Sequence, residues 1–391
     1  MEFCKVNLAN CHLCEGKLLA LHGFPALLQV TSDCRPWRGE GQLAVCQCCG
    51  TVQKPITEKW LREANQIYAG YEIYNQGGGD EQSAFDQSTG VSESRSKKIV
   101  DWLTTAHILP ENGKLIDIGC GNGAFLRAFG ARYPGWQMTG LELDGRNQRV
   151  IESIPRVVGL HVGSIESLKG RFDMLVLIHA LEHVPAPVQL LKSLTERLNP
   201  GGLLLIEVPD MEISPFDILI ADHCTHFTAN ILHGVIASAG FESLSLKADF
   251  VPKELSLLAQ YSGEDGCKPV RQAGSPIKEQ QYLSNGAKAA KTHIAWLKSL
   301  LKKGQALEGT IGVFGTSIAA TWLAASLGDK VTFFVDEDRN RIGRSHLSRP
   351  IYDPAHAPND SQIVVPMRSD IAVAIAKRFE ELACKFVLPA V

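Results

Sequence analysis

The sequence predicts an α/β chain of two or three domains, and three observations carry that expectation. Between Lys114 and about residue 255, apolar runs such as "KLIDIG", "WQMTGLELD", "DMLVLIHA" and "GGLLLIEVP" alternate with helical stretches, the pattern of a parallel sheet covered on both faces. A second strand, glycine turn and helix, "TIGVFGTSIAATWLAASLG", followed by the strand "KVTFFVD", places another Rossmann-like unit near the end of the chain. Ahead of both, two C-x-x-C pairs interrupt short extended runs.

The 391 residues suffice for several domains, each able to bury a core. With 45% hydrophobic residues, 21% charged residues and a net charge of −3, the composition is that of a soluble protein with no general attraction for phosphate backbones. Nucleic acid and anionic membrane are therefore poor partners. The longest apolar runs are about half what a bilayer span requires, and the N-terminus lacks the basic-then-apolar layout of a signal peptide. These features point to the cytoplasm, where eleven cysteines are not expected to form disulfides.

In chain order, residues 1–58 hold the knuckles: Cys11 and Cys14 in "CHLC", Cys46 and Cys49 in "CQCCG". Four thiolates so spaced match a tetrahedral structural zinc, and a module this small needs such a staple in place of a large core. Cys48 or His12 could replace one ligand, and a redox role for "CHLC" is the competing reading. Residues 59–100 read as a helical linker interrupted by the polar "NQGGGDEQSAFDQSTG", a segment able to serve as a lid. The sheet-forming region follows over 101–255. A long helix then opens the last domain, 256–391.

Within the sheet region "LIDIGCGNGAF" sets Asp117, Gly119, Gly121 and Gly123 at the end of the first strand, where glycines let the backbone approach a ligand. Gly119, Gly121 and Ala124 also satisfy the dinucleotide fingerprint. Asp117 helps to separate the two readings, because a carboxylate there repels a pyrophosphate and suits an ammonium group. S-adenosylmethionine carries that ammonium and no phosphate. Cys120 contributes its backbone to the same loop. Glu142, ending the next strand, suits the ribose hydroxyls, with Asp144 as a nearby competitor.

Two further stretches stay open on residue type alone. "DHCTHFT", Asp222 to Thr228, is compatible with a metal site, an acid/base pair or a polar loop. The turn at Gly312 and Gly315 lacks the full fingerprint, although Asp336 ends the following strand as a ribose-binding acid would.

Taken in order, "LIDIGCGNGAF", "TGLELD", "LIHALEHVPAP" and "LNPGGLLLIEVPD" resemble the class I S-adenosylmethionine-dependent methyltransferases over roughly residues 114–240. The resemblance implies a Rossmann-like core in which Asp117, Gly119, Gly121 and Glu142 bind the cofactor. It further implies that Ser164 and Ile165 flank the adenine and that His179 lies at the methionine end; the family often has an acid where Ser164 stands. With the cysteine module ahead and the second Rossmann-like unit behind, nearly the whole chain resembles the three-domain sugar C-methyltransferases, which methylate a carbon of nucleotide-linked 4-keto-deoxysugars. By that likeness Cys11, Cys14, Cys46 and Cys49 hold structural Zn2+, and the sugar nucleotide occupies the cleft between domains.

That family places a Glu-His pair and then a Tyr-Phe pair after the fifth strand; Asp222-His223 and His226-Phe227 stand at the matching positions. The resemblance makes His223 the general base, Asp222 its orienter and His226 the replacement for a tyrosine. Tyr74, ahead of Tyr68 and Tyr71, is the expected substrate contact. The chemistry requires such a set, since a carbon beside a ketone becomes nucleophilic only after a base removes its proton and a donor stabilises the enolate. C-methylation of a keto-deoxysugar is thus the leading expectation. Methylation of an oxygen or nitrogen on a sugar or other small metabolite is the alternative, and a cofactor-binding scaffold without catalysis is a third.

Overall fold

The computed structural model describes residues 10–71, 83–85, 92–248, 250–263 and 276–389. The N-terminal module is built from short strands, β1 Leu18–Ala20, β2 Gln29–Val30, β3 Pro36–Trp37, β4 Ala44–Cys46 and β5 Val52–Gln53. Helix α1, Glu58–Ala69, starts where the Thr57 side chain accepts from Trp60 N, and it buries Trp60, Ala64 and Ile67 along one face. The hairpin of β6 Ser83–Phe85 and β7 Ser92–Ser94 leads into α2, Arg95–Ala106, capped by Ser94.

The central domain follows the alternation in the sequence: β8 Gly113–Ile118, α3 Ala124–Arg132, β9 Trp136–Glu142, α4 Gln148–Glu152, β10 Val157–Val162, β11 Phe172–Ile178, α5 Pro187–Thr195 and β12 Leu198–Pro209. After β13, Thr225–His226, come α6 Ala229–Ser238, β14 Phe241–Ala248 and β15 Glu254–Tyr261. The seven-stranded sheet has the order β10-β9-β8-β11-β12-β15-β14. Its first five strands are parallel, and β15 runs antiparallel to both neighbours. The chain winds outward from β8 in one direction and from β11 in the other, so a crevice opens at the carboxyl ends of these two strands. Separate apolar clusters cover the two faces, one around Leu175, Leu177 and Ile206, the other around Trp136, Phe129 and Met174. The domain boundary expected at residue 255 lies inside β15. That strand completes the sheet to Tyr261, because its apolar residues close the far side of β12.

The C-terminal domain begins with α7, Pro276–Gln305, and continues through β16 Ile311–Phe314, α8 Ile318–Leu327, β17 Val331–Val335, β18 Ser345–His346, β19 Arg349–Tyr352, β20 Gln362–Val364, α9 Ser369–Arg378 and β21 Lys385–Val387. Its sheet, β18-β19-β17-β16-β20-β21, is parallel except for β18. No helix among the described residues is long and apolar enough to cross a membrane.

One apolar cluster ties the parts together. Phe24 and Val45 of the cysteine module, Phe216 and Ile218 after β12, Leu297 of α7 and Trp322 of α8 belong to it. The Phe216 ring meets Trp296 at 5.6 Å and Trp322 at 5.9 Å, both edge-on. Trp322→Ala should therefore lower stability by about 3–5 kcal/mol, read as a shift in the denaturant midpoint. The loss should appear in probes of the N-terminal module as well as of the C-terminal domain.

Candidate functional site

The loop after β8 turns on three glycines in left-handed backbone, Gly119, Gly121 and Gly123, with φ of 77°, 58° and 77°. A side chain at Gly123 would also meet Ile154 at 2.5 Å, so the turn admits no Cβ there. Asp117 ends β8 fully enclosed, and its Oδ1 has no hydrogen-bond partner. Burial, and secondarily the charge of Glu142, push its carboxyl up to about 8. A buried carboxyl in this condition is satisfied by a cationic ligand, as an ammonium group would provide. Glu142 accepts from Gly121 N at 2.5 Å and from Leu143 N at 3.3 Å, and each oxygen keeps a second lone pair. Asp144 instead turns to the surface and pairs with Arg146 at 2.7 Å, which leaves Glu142 as the acid facing the loop.

Cys120 is buried, with its sulfur beneath Gly140, so only its backbone belongs to the cleft. Ser164 and Ile165 follow β10; Ser164 O accepts from Ser167 Oγ at 2.7 Å, and Ile165 is buried. His179 ends β11 at a φ of 50°, with Nδ1 3.2 Å from Glu182 and Nε2 3.7 Å from Glu254. Burial, assisted by the charge of Arg95, lowers its pKa to about 4 and keeps the ring neutral.

The loop after β12 is arranged differently from expectation. Asp222 does not orient His223. Its carboxylate accepts from Ser32 N at 2.9 Å and from Ser32 Oγ, and it faces His183 Nδ1 at 3.3 Å. His223 Nδ1 instead meets Asp217 Oδ1 at 2.7 Å, while His226 Nδ1 meets the other oxygen of Asp217, also at 2.7 Å. Asp222 lies inside the turn closed by His223 N on Ile220 O at 3.3 Å, and the two neighbours take different partners. His226 has no exposed surface and sits within β13, with Nδ1 on Asp217 and Nε2 buried without a hydrogen-bond partner.

His183 joins the cluster without having been assigned a role. Its ring lies 4.6 Å from that of His223, edge-on, and 6.0 Å from Tyr68. Burial works to lower its pKa, but the hydrogen bond and charge of Asp222 prevail and raise it to about 8. Asp217 and Asp222 are both held well below the ordinary carboxylate range despite burial, Asp217 by its two imidazoles and Asp222 chiefly by His183. Burial lowers the pKa of His226, and Asp217 only partly counters it. The hydrogen bonds of His183 and His223 among the described residues are made through Nδ1, whereas His226 Nε2 is buried without a hydrogen-bond partner. Glu182, His183 and His223 offer ligand atoms within 4.8 Å of one another, so the cluster also has the makings of a cation site. Two sequence signals pointed here: an acid in the apolar run "PFDIL", and the Glu-His pair in "LEHVP". Of the three tyrosines, Tyr68 faces the cluster, and Tyr74 lies outside the described residues.

In the N-terminal module Cys11, Cys14, Cys46 and Cys49 converge, with Sγ atoms 3.6 Å apart for Cys11 and Cys49 and 3.5 Å apart for Cys14 and Cys46. Cys46 Sγ accepts from Cys48 N and Cys49 N, and Cys11 Sγ accepts from Leu13 N. Four convergent sulfurs braced by amide donors fit a tetrahedral zinc. His12 turns away to bond Thr225 Oγ1 at 2.6 Å, and Cys48 is not among the convergent four.

Residues 91–246 match a family described as a methyltransferase domain. The chain carries a class I S-adenosylmethionine-dependent methyltransferase domain. This methyltransferase domain is 33% identical over 108 residues to a trans-aconitate 2-methyltransferase of Deinococcus radiodurans, an alignment covering 26% of this chain and 41% of the relative. It is 32% identical over 139 residues to a dTDP-4-amino-2,3,4,6-tetradeoxy-D-glucose N,N-dimethyltransferase of Saccharopolyspora spinosa, covering 33% of this chain and 55% of that protein. A longer match, 25% identical over 294 residues, covers 72% of this chain and 83% of an uncharacterized 37.1 kDa protein in a transposon of Streptomyces fradiae. The chain spans about half the length of the methyltransferases it matches.

The division of labour between the two acids after β9 is testable. Glu142→Ala should weaken S-adenosylhomocysteine binding by about tenfold or more, from the loss of charge-assisted hydrogen bonds. Asp144→Ala should leave it within about twofold, because that carboxylate is committed to Arg146 at the surface. Calorimetric titration distinguishes the two.

Proposed function

We propose that the protein transfers a methyl group from S-adenosylmethionine to a carbon of a nucleotide-linked ketosugar. The observation that carries this reading is the pair of imidazoles His223 and His183, each bonded through Nδ1 to its own ionised carboxylate. Asp117 would hold the cofactor's ammonium and Glu142 its ribose, on the glycine turn at Gly119 and Gly121. S-adenosylmethionine supplies an electrophilic methyl group, and its transfer requires mainly alignment.

The chain's own part is to make and hold the nucleophile. Asp217 keeps the proton of His223 on Nδ1, so Nε2 presents a lone pair able to take the proton beside the ketone. The same carboxylate stabilises the imidazolium that results. His183, protonated up to about pH 8, is placed to donate to the developing enolate oxygen. One ring thus serves as base while the other serves as donor, a separation created by their different carboxylate geometry. The four convergent cysteines would hold a structural Zn2+ that closes the N-terminal module. A nitrogen acceptor is the second reading, favoured by the likeness to an aminosugar N,N-dimethyltransferase.

Deuterium wash-in beside the ketone, followed with S-adenosylhomocysteine bound, separates the two acceptors: a carbon acceptor exchanges and a nitrogen acceptor does not. His223→Gln should reduce both exchange and turnover by about 100-fold or more. Survival of both would remove His223 from the reaction. Metal analysis should find about one zinc per chain, lost in Cys46→Ala and retained in Cys48→Ala.

The pH dependence has a defined sign. His183 has a folded pKa raised to about 8 above its ordinary 6.5, so its charge and its contribution to stability are fully present below 6.5. Both fade as pH rises through about 8. Turnover should show a falling limb there, and His183→Gln, a donor that does not titrate, should abolish that limb.

A further inference from the structure

The loop that carries Asp217, Asp222 and His223 is held less by the methyltransferase sheet than by the cysteine module and the start of α1. Ala221 N donates to Val30 O at 2.7 Å, and Ala221 O accepts from Trp60 Nε1 at 3.0 Å. Cys224 O accepts from Lys54 N at 3.0 Å. Strand β13 then completes the module's own sheet, pairing Thr225 with Gln53 and His226 with Val52 in the order β1-β4-β5-β13. Ser32 holds Asp222, and His12 holds Thr225. The catalytic loop is therefore an edge strand of a metal-binding module, inserted from another domain.

Lys54 is the least expected member of this set. Only 2% of its surface is exposed, and its Nζ donates to Ile218 O at 3.2 Å and to Ile220 O. Burying an ammonium costs several kcal/mol unless partners compensate, so a lysine here needs a reason beyond packing. The two carbonyls it binds lie between Asp217 and Asp222 in the chain; burial pulls its pKa down to about 8, and the charges of these two carboxylates partly hold it up. A single cation thus fixes the turn and offsets the two negative charges that the imidazoles require.

We infer that the cysteine module is a positioning device for the acid/base loop, with Lys54 as the positioning residue that sets the aim of both Asp217–His223 and Asp222–His183. The inference deepens the acid/base reading and rests on it for its functional meaning, but the loop geometry can be read without any acceptor.

The test uses the full chain as wild type, Lys54→Met, Trp60→Phe, and a module control, Leu43→Ala, whose backbone bonds within the module. S-adenosylhomocysteine calorimetry reports the cofactor cleft. Low-field imidazole N–H proton resonances and amide exchange at Thr225 and His226 report the loop. Lys54→Met is expected to keep cofactor affinity within about threefold, to speed exchange at both amides by about tenfold or more, and to lose the imidazole resonances bonded to Asp217. Trp60→Phe is expected to do the same more weakly. Leu43→Ala is expected to lower the thermal midpoint while the resonances persist. Wild-type exchange and resonances in Lys54→Met overturn the inference, as does Leu43→Ala reproducing its losses. Should Lys54→Met fail to fold, unchanged exchange at His226 in Trp60→Phe overturns it. These signals need no substrate, so a failure of the proposed methyl transfer leaves them readable, and turnover without them would still overturn the role of Lys54.

Discussion

A single buried carboxylate, Asp217, is the constraint around which the site is organised. It receives His223 and His226 at 2.7 Å on its two oxygens, and so sets the tautomer and ring orientation of both. Both rings are buried, and that of His226 lies within β13. Burial alone would raise the pKa of so deeply enclosed a carboxylate, and the two imidazoles of His226 and His223 instead hold it below the ordinary range. The geometry of the acid/base set and the electrostatics that sustain it are the same interaction.

Acidic side chains across the central sheet are sorted into two populations by their surroundings. Asp117, Glu207 and Glu254 gain little compensation and have raised pKa values, with Asp117 and Glu207 pushed up to about 8 chiefly by burial. Asp217 and Asp222 are equally buried yet depressed, because each faces an imidazole. The first population lies at the ends of β8, β12 and β15, and the second lies on the loop between β12 and α6. Carboxyls with raised and with depressed pKa values are thus kept apart, the first on the strands and the second on one loop.

Much of this was legible in the sequence where the physics is local. Strands buried on both faces read as continuous apolar runs, and "DIGCGNG" announces a turn that only glycine can make. The four-cysteine cluster follows from spacing within each knuckle. What was not legible depends on direction and on distance along the chain. Adjacency suggested Asp222 for His223, whereas the turn sends them to different partners. The acid in "PFDIL" and the Glu-His pair in "LEHVP" mark Asp217 and His183 by residue type, but nothing local shows that the fold brings them to His223. The seventh strand, β15, has no intervening helix to mark it as part of the sheet, which displaced the expected boundary. Lys54, in a polar turn ahead of α1, carries no sign of its burial.

The pairing of β5 with β13 also has a consequence for assembly. His12 and Thr225, which bond across it, are 213 residues apart in sequence. During synthesis the cysteine module emerges before the central sheet, and β5 must wait with an open edge until the five parallel strands β8 to β12 have been made. Contacts of such long range are slow to form, because loop closure precedes any gain from them. The acid/base loop should therefore be among the last parts of the protein to reach its native arrangement. A nascent chain halted before residue 225 would present the bare edge of β5 to any other strand in reach.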